Sequence, residues 1–489
     1  MIVIAMNKKG FEYDVHSLVK AFYMNRTVHI QIVGETDQAQ SSAEGLPDIL
    51  IEFAADAITL LMISGKSGGT ACRKITLDKS MERSEVKSRL KLLLYHCLTA
   101  ETGKSLPWGT LTGIRPAKIP LSLLEADELI TDAQILQYMQ DHFCVSREKA
   151  ELAIDIARRE EKILTQIDYR QSYSIYIGIP FCPTTCLYCS FTSYPIARYQ
   201  DKTDQYLEVL LRELAYVVKA RQGQTPTTIY IGGGTPTTLS ATQLQRLLSE
   251  LEAAFNLSGV REFTVEAGRA DSITEEKLQV MKAFGVNRIS INPQTMNSES
   301  LAAIGRRHTV EQVREAFYMA RRIGFHNINM DLILGLPGES EKSVAQTMAQ
   351  IKELCPDSIT LHSLAVKRGS RLHEEILQNG RAESTDITAM MQIACDSAKS
   401  MGMKPYYLYR QKNIAGNLEN VGYAAEGKHG LYNILMMEDK QDIIGLGAGT
   451  VTKKAAPDGT IARCDTVKDV DIYMTRIDEM ICRKEELFQ

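Results

Sequence analysis

The chain of 489 residues has one tryptophan, almost balanced charge and no long uninterrupted apolar run. Each shortage excludes something. With 56 basic against 60 acidic residues and a net charge of −4, there is no broad positive field for nucleic acid, and no block of like charges reads as an interaction tail. The longest apolar stretch, Ile49 to Ile63, is interrupted by Glu52 and Asp56, so no membrane span is expected. Met1-Ile-Val-Ile-Ala-Met6 is apolar before its first charges, the reverse of a secretory leader, and a cytoplasmic protein is the expectation. Ser64-Gly-Lys-Ser-Gly-Gly69 lacks the upstream glycine of a phosphate loop and reads as a hairpin turn. Of ten cysteines, seven (Cys72, Cys97, Cys144, Cys355, Cys395, Cys464 and Cys482) are scattered without metal-ligand spacing, as reduced thiols would be.

The other three are concentrated. Cys182, Cys186 and Cys189 lie within the run Ile179-Pro-Phe-Cys-Pro-Thr-Thr-Cys-Leu-Tyr-Cys-Ser-Phe191, with no histidine or fourth cysteine beside them. A structural zinc site needs four closed ligands. A [4Fe–4S] cluster held by three thiolates instead leaves one iron open to a substrate or cofactor, which points to redox or radical chemistry.

The length suggests several domains. Residues 1–82 alternate short β-rich runs (Met1–Met6, Thr27–Val33, Ile49–Phe53, Ala57–Ile63) with polar breaks and read as a small α+β module. Residues 83–168 read as a helical linker region. Val86, Leu90, Leu93, Leu94 and Cys97 recur at helical spacing, the Leu106–Pro116 segment breaks the helix, and Ser146 is a candidate cap for a later one. Trp108 and Arg115 lie in the breaking segment, as packing residues or facing a partner domain.

Residues 169–370 change texture. Strands are expected at Ser174–Ile179, Thr228–Ile231, Glu262–Glu266, Arg288–Ile291, Asn327–Leu334 and Ser358–Leu364, alternating with helices near 201–221, 240–255, 274–285, 310–323, 341–354 and 371–378. This alternation demands a parallel sheet with right-handed crossovers, a partial, TIM-like (βα)6 barrel of the α/β class. Residues 371–489 form a C-terminal α/β segment expected to cover the substrate. In such barrels chemistry sits at the carboxyl ends of the strands. There the cysteines follow the first strand and Gly232-Gly-Gly-Thr-Pro-Thr237 the second; Glu266, Gln294, Asp331 and Ala365 belong to the ends of the next four, with Arg306 shortly after Gln294. Glycines allow backbone amides to approach a ligand closely. The carboxylates and the arginine together suit a ligand with hydroxyl, amino and carboxylate groups, which S-adenosylmethionine carries.

Cys-x3-Cys-x2-Cys on a βα barrel resembles the radical S-adenosylmethionine enzymes. The set Tyr176-Ile-Gly-Ile-Pro-Phe-Cys182, Gly232–Thr237, Thr264-Val-Glu-Ala267, Arg288-Ile-Ser-Ile-Asn-Pro-Gln294, Ile304-Gly-Arg306 and Asn329-Met-Asp-Leu-Ile-Leu-Gly-Leu-Pro-Gly338 resembles the oxygen-independent coproporphyrinogen III oxidase family, or coproporphyrinogen dehydrogenases. The resemblance spans roughly residues 170–455, and the N-terminal extension with the segments Tyr406–Asn417 and Gly447–Gly449 is similar to the family's HemZ-type branch. It implies cluster ligands at Cys182, Cys186 and Cys189, also counted as catalytic. Its S-adenosylmethionine contacts fall on Tyr176, Tyr188, Gly233, Gly234, Thr235, Glu266, Gln294, Arg306, Asp331 and Ala365.

By that resemblance an electron donor such as flavodoxin or ferredoxin feeds the cluster, a 5′-deoxyadenosyl radical forms, and two propionates of coproporphyrinogen III become the vinyl groups of protoporphyrinogen IX. A related branch consists of haem chaperones. Well-characterised oxidases carry a further cysteine two residues after the third ligand; this chain has Phe191, a form also found in the chaperones. A tetracarboxylate substrate needs local cations, for which Arg306, Arg307, Arg410 and Lys412 are candidates, with Tyr407 and Tyr409 as flat walls. On the chaperone alternative His308, His362 and His429 are the candidate haem ligands. A radical enzyme acting on another tetrapyrrole is a third reading.

Overall fold

The computed structural model of the protein describes residues 1–24, 26–33, 47–63, 70–113, 115–169, 172–367, 369–379, 386–411, 414–456 and 459–489. These fall into two compact units, Met1–Ala157 with Arg410–Asn413, and Arg158–Tyr409 with Ile414–Gln489.

The first unit is built on a five-stranded sheet of β1 (Ile2–Met6), β2 (Val28–Ile32), β3 (Ile49–Phe53), β4 (Ala57–Ile63) and β5 (Thr70–Thr76), in the order β2-β1-β3-β4-β5. β1 runs parallel to β2 and β3, while β4 is antiparallel to both β3 and β5. The turn expected at 64–69 lies outside the described residues. Helix α1 (Glu12–Phe22) was not expected, although Val15, Leu18, Val19 and Phe22 keep helical spacing and are all buried. Helix α2 (Arg83–Thr102) packs Leu90, Leu93, Leu94, Cys97 and Leu98 into the same core as the sheet. α3 (Lys118–Ala126), α4 (Asp132–Phe143) and α5 (Arg147–Leu164) follow. Ser146 caps α5, its Oγ accepting from the Lys149 amide at 3.3 Å. Trp108 is fully buried.

The second unit contains the barrel sheet. Its parallel strands β6 (Tyr173–Ile179), β9 (Thr228–Gly233), β10 (Glu262–Gly268), β11 (Arg288–Ile291), β12 (Ile328–Leu334) and β13 (Ser358–Ser363) are the six read from the sequence. Between the first two lies a short parallel ribbon, β7 (Phe181–Cys182) with β8 (Tyr194–Pro195). The crossovers are α6 (Thr203–Ala220), α7 (Ala241–Ala254), α8 (Glu275–Ala283), α9 (Ser298–Ala303), α10 (Val310–Ile323) and α11 (Glu341–Leu354), followed by α12 (Arg371–Asn379) and α13 (Ile387–Ser400). Local chemistry fixes where helices start. Ser240 with Gln243, Thr309 with Gln312 and Ser340 with Ser343 form reciprocal capping boxes at α7, α10 and α11. Helices on the outside and side chains within leave little strand surface in water, so Ile175, Ile177, Ile229, Ile231, Val265, Ile289 and Ile359 are buried.

The sheet has eleven strands in all, in the order β14-β15-β13-β12-β11-β10-β9-β6-β16-β17-β18. β14 (Lys404–Tyr409) and β15 (Asn420–Ala424) add an antiparallel edge beside β13. Past α14 (Leu431–Glu438), β16 (Asp442–Leu446) lies parallel to β6, a neighbour the six-strand reading did not include. β17 (Val451–Ala455) and β18 (Ile461–Asp465) complete that edge, and α15 (Val470–Thr475) and α16 (Ile477–Phe488) close the chain. Among the described residues no helix is long and apolar enough to cross a membrane.

Candidate active site

The register of β6 on β9 pairs Gly178 with Gly232 and Ile179 with Gly233, so the cysteine loop and the glycine triplet leave the sheet side by side. Gly233 has φ +106°, and a Cβ on Gly234 would stand 2.5 Å from the Phe181 carbonyl oxygen; only glycine lets these strands approach so closely. The Gly234 and Thr235 amides donate to the carbonyls of Ile179 and Phe181 at 2.8 and 2.7 Å. The Thr235 hydroxyl donates to Cys182 Sγ at 3.4 Å.

Several groups pin the cysteine loop from outside. The Leu187 amide donates to the Ile304 carbonyl at 3.0 Å, and Arg371 donates to the Thr185 carbonyl at 2.8 Å. Arg269, only 3% exposed as a side chain, donates to the Thr184 hydroxyl at 2.6 Å and grips Asp271 through two nitrogens. His308 backs Asp271 at 3.8 Å with its own ring fully buried. Neither Arg269 nor Asp271 drew attention in the sequence. They follow β10 at its carboxyl end, the position where a functional reading was available.

Within the barrel Tyr176, Tyr230 and Tyr432 stack on one another at centroid distances of 5.8, 6.0 and 4.5 Å. Tyr230 donates its hydroxyl to Glu266 at 2.6 Å. Arg306 is buried, donating to the Asn292 carbonyl and, at 3.2 Å, to the Tyr188 hydroxyl. Gln294 sits at φ +68°, outside the usual range for a residue with a side chain, and its backbone is held there by the Asp331 carbonyl and the Ile333 amide at 3.0 and 2.8 Å. Ala365 forms an antiparallel bridge with Ile414.

Burial alone would raise the Asp331 carboxyl, yet His362, with Nε2 at 3.9 Å, and the Asn329 amide at 2.8 Å hold it below its usual range. His362 in turn meets the Tyr409 hydroxyl at 3.3 Å. Burial pushes the Glu266 carboxyl from 4.5 up to about 7, against the Tyr230 hydrogen bond and assisted by the nearby Asp331. The folded protein thus holds this proton more tightly than the unfolded chain does. The stability this group contributes is complete below pH 4.5 and is lost as pH rises through about 7. Glu266→Gln is expected to flatten that fall by up to about 3 kcal/mol, read as the change in melting temperature between about pH 5 and pH 8. An unchanged pH slope in the variant would remove Glu266 as its source.

Other expected residues are elsewhere. Arg410 belongs with the first unit, buried, donating to the Leu111 carbonyl with its guanidinium 5.8 Å from the Trp108 ring. Its guanidinium is thus already engaged by a backbone carbonyl and a ring of its own unit. Lys412 lies outside the described residues. Arg307 is exposed, and Tyr407 is 5% exposed and stacked on Tyr409 at 6.3 Å, so it offers no open wall. His308, buried against Asp271, has no face for a haem iron. His429 is half-buried in a groove of about 480 Å³ lined also by Ile163, Arg261, Lys282, Lys428 and Leu431. That groove adjoins the residues entering β10, β11 and β12, the amino ends of the strands, away from the cysteine loop.

Two atoms test whether this mouth suits a bound cofactor. Gln294 Oε1 and Arg306 Nε are buried without a hydrogen-bond partner, an arrangement that costs about 1–3 kcal/mol per atom unless a ligand supplies the missing contacts. Burial also pushes the Cys182 thiol up to about 11, against the Thr235 hydrogen bond, and raises Cys189, so thiolates here call for a positive centre beside them. Among the described residues no three His, Cys, Asp or Glu side chains are placed to hold a single metal ion. Three thiolates on one loop are a donor set of the kind that holds a polynuclear iron–sulfur cluster, each on a different iron.

The Radical SAM superfamily model matches residues 176–351, from β6 into α11. Fold and match together define a radical S-adenosylmethionine protein, a class that uses a [4Fe–4S] cluster and S-adenosylmethionine. The oxygen-independent coproporphyrinogen-III oxidase-like protein HemZ of Bacillus subtilis (strain 168) is 40% identical over 415 residues, 83% of this chain and 82% of that protein. The chain belongs to this oxygen-independent coproporphyrinogen-III oxidase-like family. The heme chaperone HemW of the same organism is 34% identical over 281 residues, 56% of this chain and 69% of that one. Among solved structures, coproporphyrinogen III oxidase (HemN) from Escherichia coli superposes with a TM-score of 0.53 at 23% identity, covering 66% of this chain and 73% of that one, a likeness of fold.

Proposed function

We propose that the protein is a radical S-adenosylmethionine oxidoreductase that converts propionate side chains of coproporphyrinogen III to vinyl groups. The observation that carries the reading is the pair of buried, unpartnered atoms, Gln294 Oε1 and Arg306 Nε, beside the three-cysteine loop, in a chain 40% identical to a coproporphyrinogen-III oxidase-like protein. Cys182, Cys186 and Cys189 would hold the cluster. Tyr176, Tyr188, Gly233, Gly234, Thr235, Glu266, Gln294, Arg306, Asp331 and Ala365 would line the S-adenosylmethionine site. When bound, the two cofactors supply one-electron, hydrogen-abstracting chemistry.

The chain's own residues do the rest. Arg306 presents a fixed cation to a carboxylate, and Gln294 an acceptor to an ammonium or hydroxyl donor. Glu266, poised near neutrality, accepts from a hydroxyl when ionised. The stacked rings of Tyr176, Tyr230 and Tyr432 keep water from the barrel interior. Asp331, held ionised, faces His362 Nε2 at 3.9 Å, while the Tyr409 hydroxyl meets Nδ1 of that ring at 3.3 Å. At each propionate the net change is loss of carbon dioxide, one proton and two electrons. That proton and one of the two electrons would leave as a hydrogen atom, taken up by S-adenosylmethionine once an electron from a small donor protein such as a flavodoxin or ferredoxin has reductively cleaved it, and the second electron would pass to a one-electron acceptor.

A second reading, a haem carrier, is favoured by Phe191 and by the 34% identity to a heme chaperone. One anaerobic experiment separates them. With coproporphyrinogen III, a reductant and S-adenosylmethionine, protoporphyrinogen and cleaved S-adenosylmethionine are expected. Stoichiometric haem binding without any decarboxylation would overturn the enzyme reading in favour of the carrier.

A further inference from the structure

Lys367 lies two residues past Ala365 on the segment leaving β13, at the carboxyl ends of the barrel strands. Its Nζ stands 5.2 Å from the centroid of the Phe191 ring, and Phe191 lies two residues past Cys189. Three other cations around the cysteine loop are engaged: Arg269 by Asp271 and Thr184, Arg306 by Asn292 and Tyr188, Arg371 by Thr185. No described residue accepts a hydrogen bond from Lys367 Nζ or forms an ion pair with it. Phe191, in turn, is 69% exposed, a large apolar ring left in water at the edge of a catalytic mouth. A half-buried ammonium that has given up part of its hydration, over an uncovered flat ring, is a pair with one face for an anion and one for an aromatic plane.

We propose that Lys367 and Phe191 form the substrate-recognition edge of the mouth: Lys367 takes a carboxylate of an acidic tetrapyrrole, and Phe191 lies against the pyrrole that bears it. The assignment rests on the tetrapyrrole reading above. It supplies a cation from the strand ends themselves, and gives Phe191 a role of its own in place of a cysteine. A substrate with several carboxylates would thereby be held with one acid group beside Cys189, where the cluster would lie.

The test uses the full chain with its cluster reconstituted, under anaerobic conditions, and coproporphyrin III as an air-stable, non-reacting tetracarboxylate probe read by the shift of its strong visible band. Lys367→Met is expected to weaken binding about tenfold to a hundredfold, the range for losing one charge-assisted hydrogen bond. Lys367→Arg should restore most of the affinity, and Phe191→Ala should weaken it by about tenfold. Iron content and the electron paramagnetic resonance signal of the reduced cluster should stay as in the parent, which also shows that the variants fold. Three results would each overturn the assignment: parent-like affinity in Lys367→Met, no coproporphyrin binding by the parent, or a changed cluster signal with affinity intact, which would make Lys367 a tuner of the cluster. A parent that binds coproporphyrin III but never decarboxylates coproporphyrinogen III would remove the proposed reaction and leave this recognition pair standing.

Discussion

Replacing Cys186 by alanine is expected to strip the protein of its cluster. Iron should fall from about four atoms per chain to below about one, the visible absorption of the reconstituted protein should vanish, and cleavage of S-adenosylmethionine should stop. The reason is arithmetic of ligands: on the proposed assignment three thiolates on one loop hold the cluster, and two would leave a second iron open to solvent. Cys186 is the buried member of the triad, at 8% exposure, so no neighbouring donor replaces it readily. The fold itself should survive, because the loop is also held through Thr184, Thr185 and Leu187 by Arg269, Arg371 and the Ile304 carbonyl. The melting temperature of the cluster-free variant should match that of the cluster-free parent. Full iron content and turnover in Cys186→Ala would end the three-thiolate proposal.

The second large effect concerns stability. Lys484 of α16 meets Glu213 of α6 at 2.5 Å, with side-chain exposures of 1% and 0%. Glu213 also accepts from the Gly447 amide and the Tyr473 hydroxyl, both at 2.8 Å, so one carboxylate ties together α6, the loop after β16, α15 and α16. Lys484→Met keeps most of the packing volume but leaves a carboxylate in the interior with no cation. Such a loss costs about 3–5 kcal/mol, a fall in melting temperature on the order of 10 °C. Adding Glu213→Gln should recover much of it, since the amide oxygen still accepts from Gly447 and Tyr473 while the buried charge is gone. If the single variant melts within about 2 °C of the parent, the pair contributes little and the C-terminal helices are held by apolar packing alone.

How much of this was legible beforehand follows from the range over which each signal acts. The six βα units could be read because each strand and helix is a local pattern of period two or 3.6, and capping residues such as Ser240, Thr309 and Ser340 sit next to the helices they start. Helix α1 was legible too, in Val15, Leu18, Val19 and Phe22, but its short length among strand-like runs hid it. β16 was not, because nothing in Asp442-Ile-Ile-Gly-Leu446 says that its neighbour is β6, more than two hundred residues earlier. The partners of Arg410 were out of reach for the same reason. Its segment looked like a basic, tyrosine-rich loop near a tetrapyrrole, yet its guanidinium is spent on Leu111 and Trp108.

By itself the sequence determined the cofactors and the barrel, since three thiolates in eight residues and a βα repeat are short-range statements whose chemistry hardly depends on the rest of the chain. The tertiary structure alone decided which polar groups are satisfied. It left Gln294 Oε1 and Arg306 Nε without partners, set Tyr230 on Glu266 and His362 beside Asp331, and placed Lys367 over Phe191 with no acceptor among the described residues. Those outcomes depend on which distant strands become neighbours, and burial then fixes the cost of every donor, acceptor and charge that the neighbours leave unpaired.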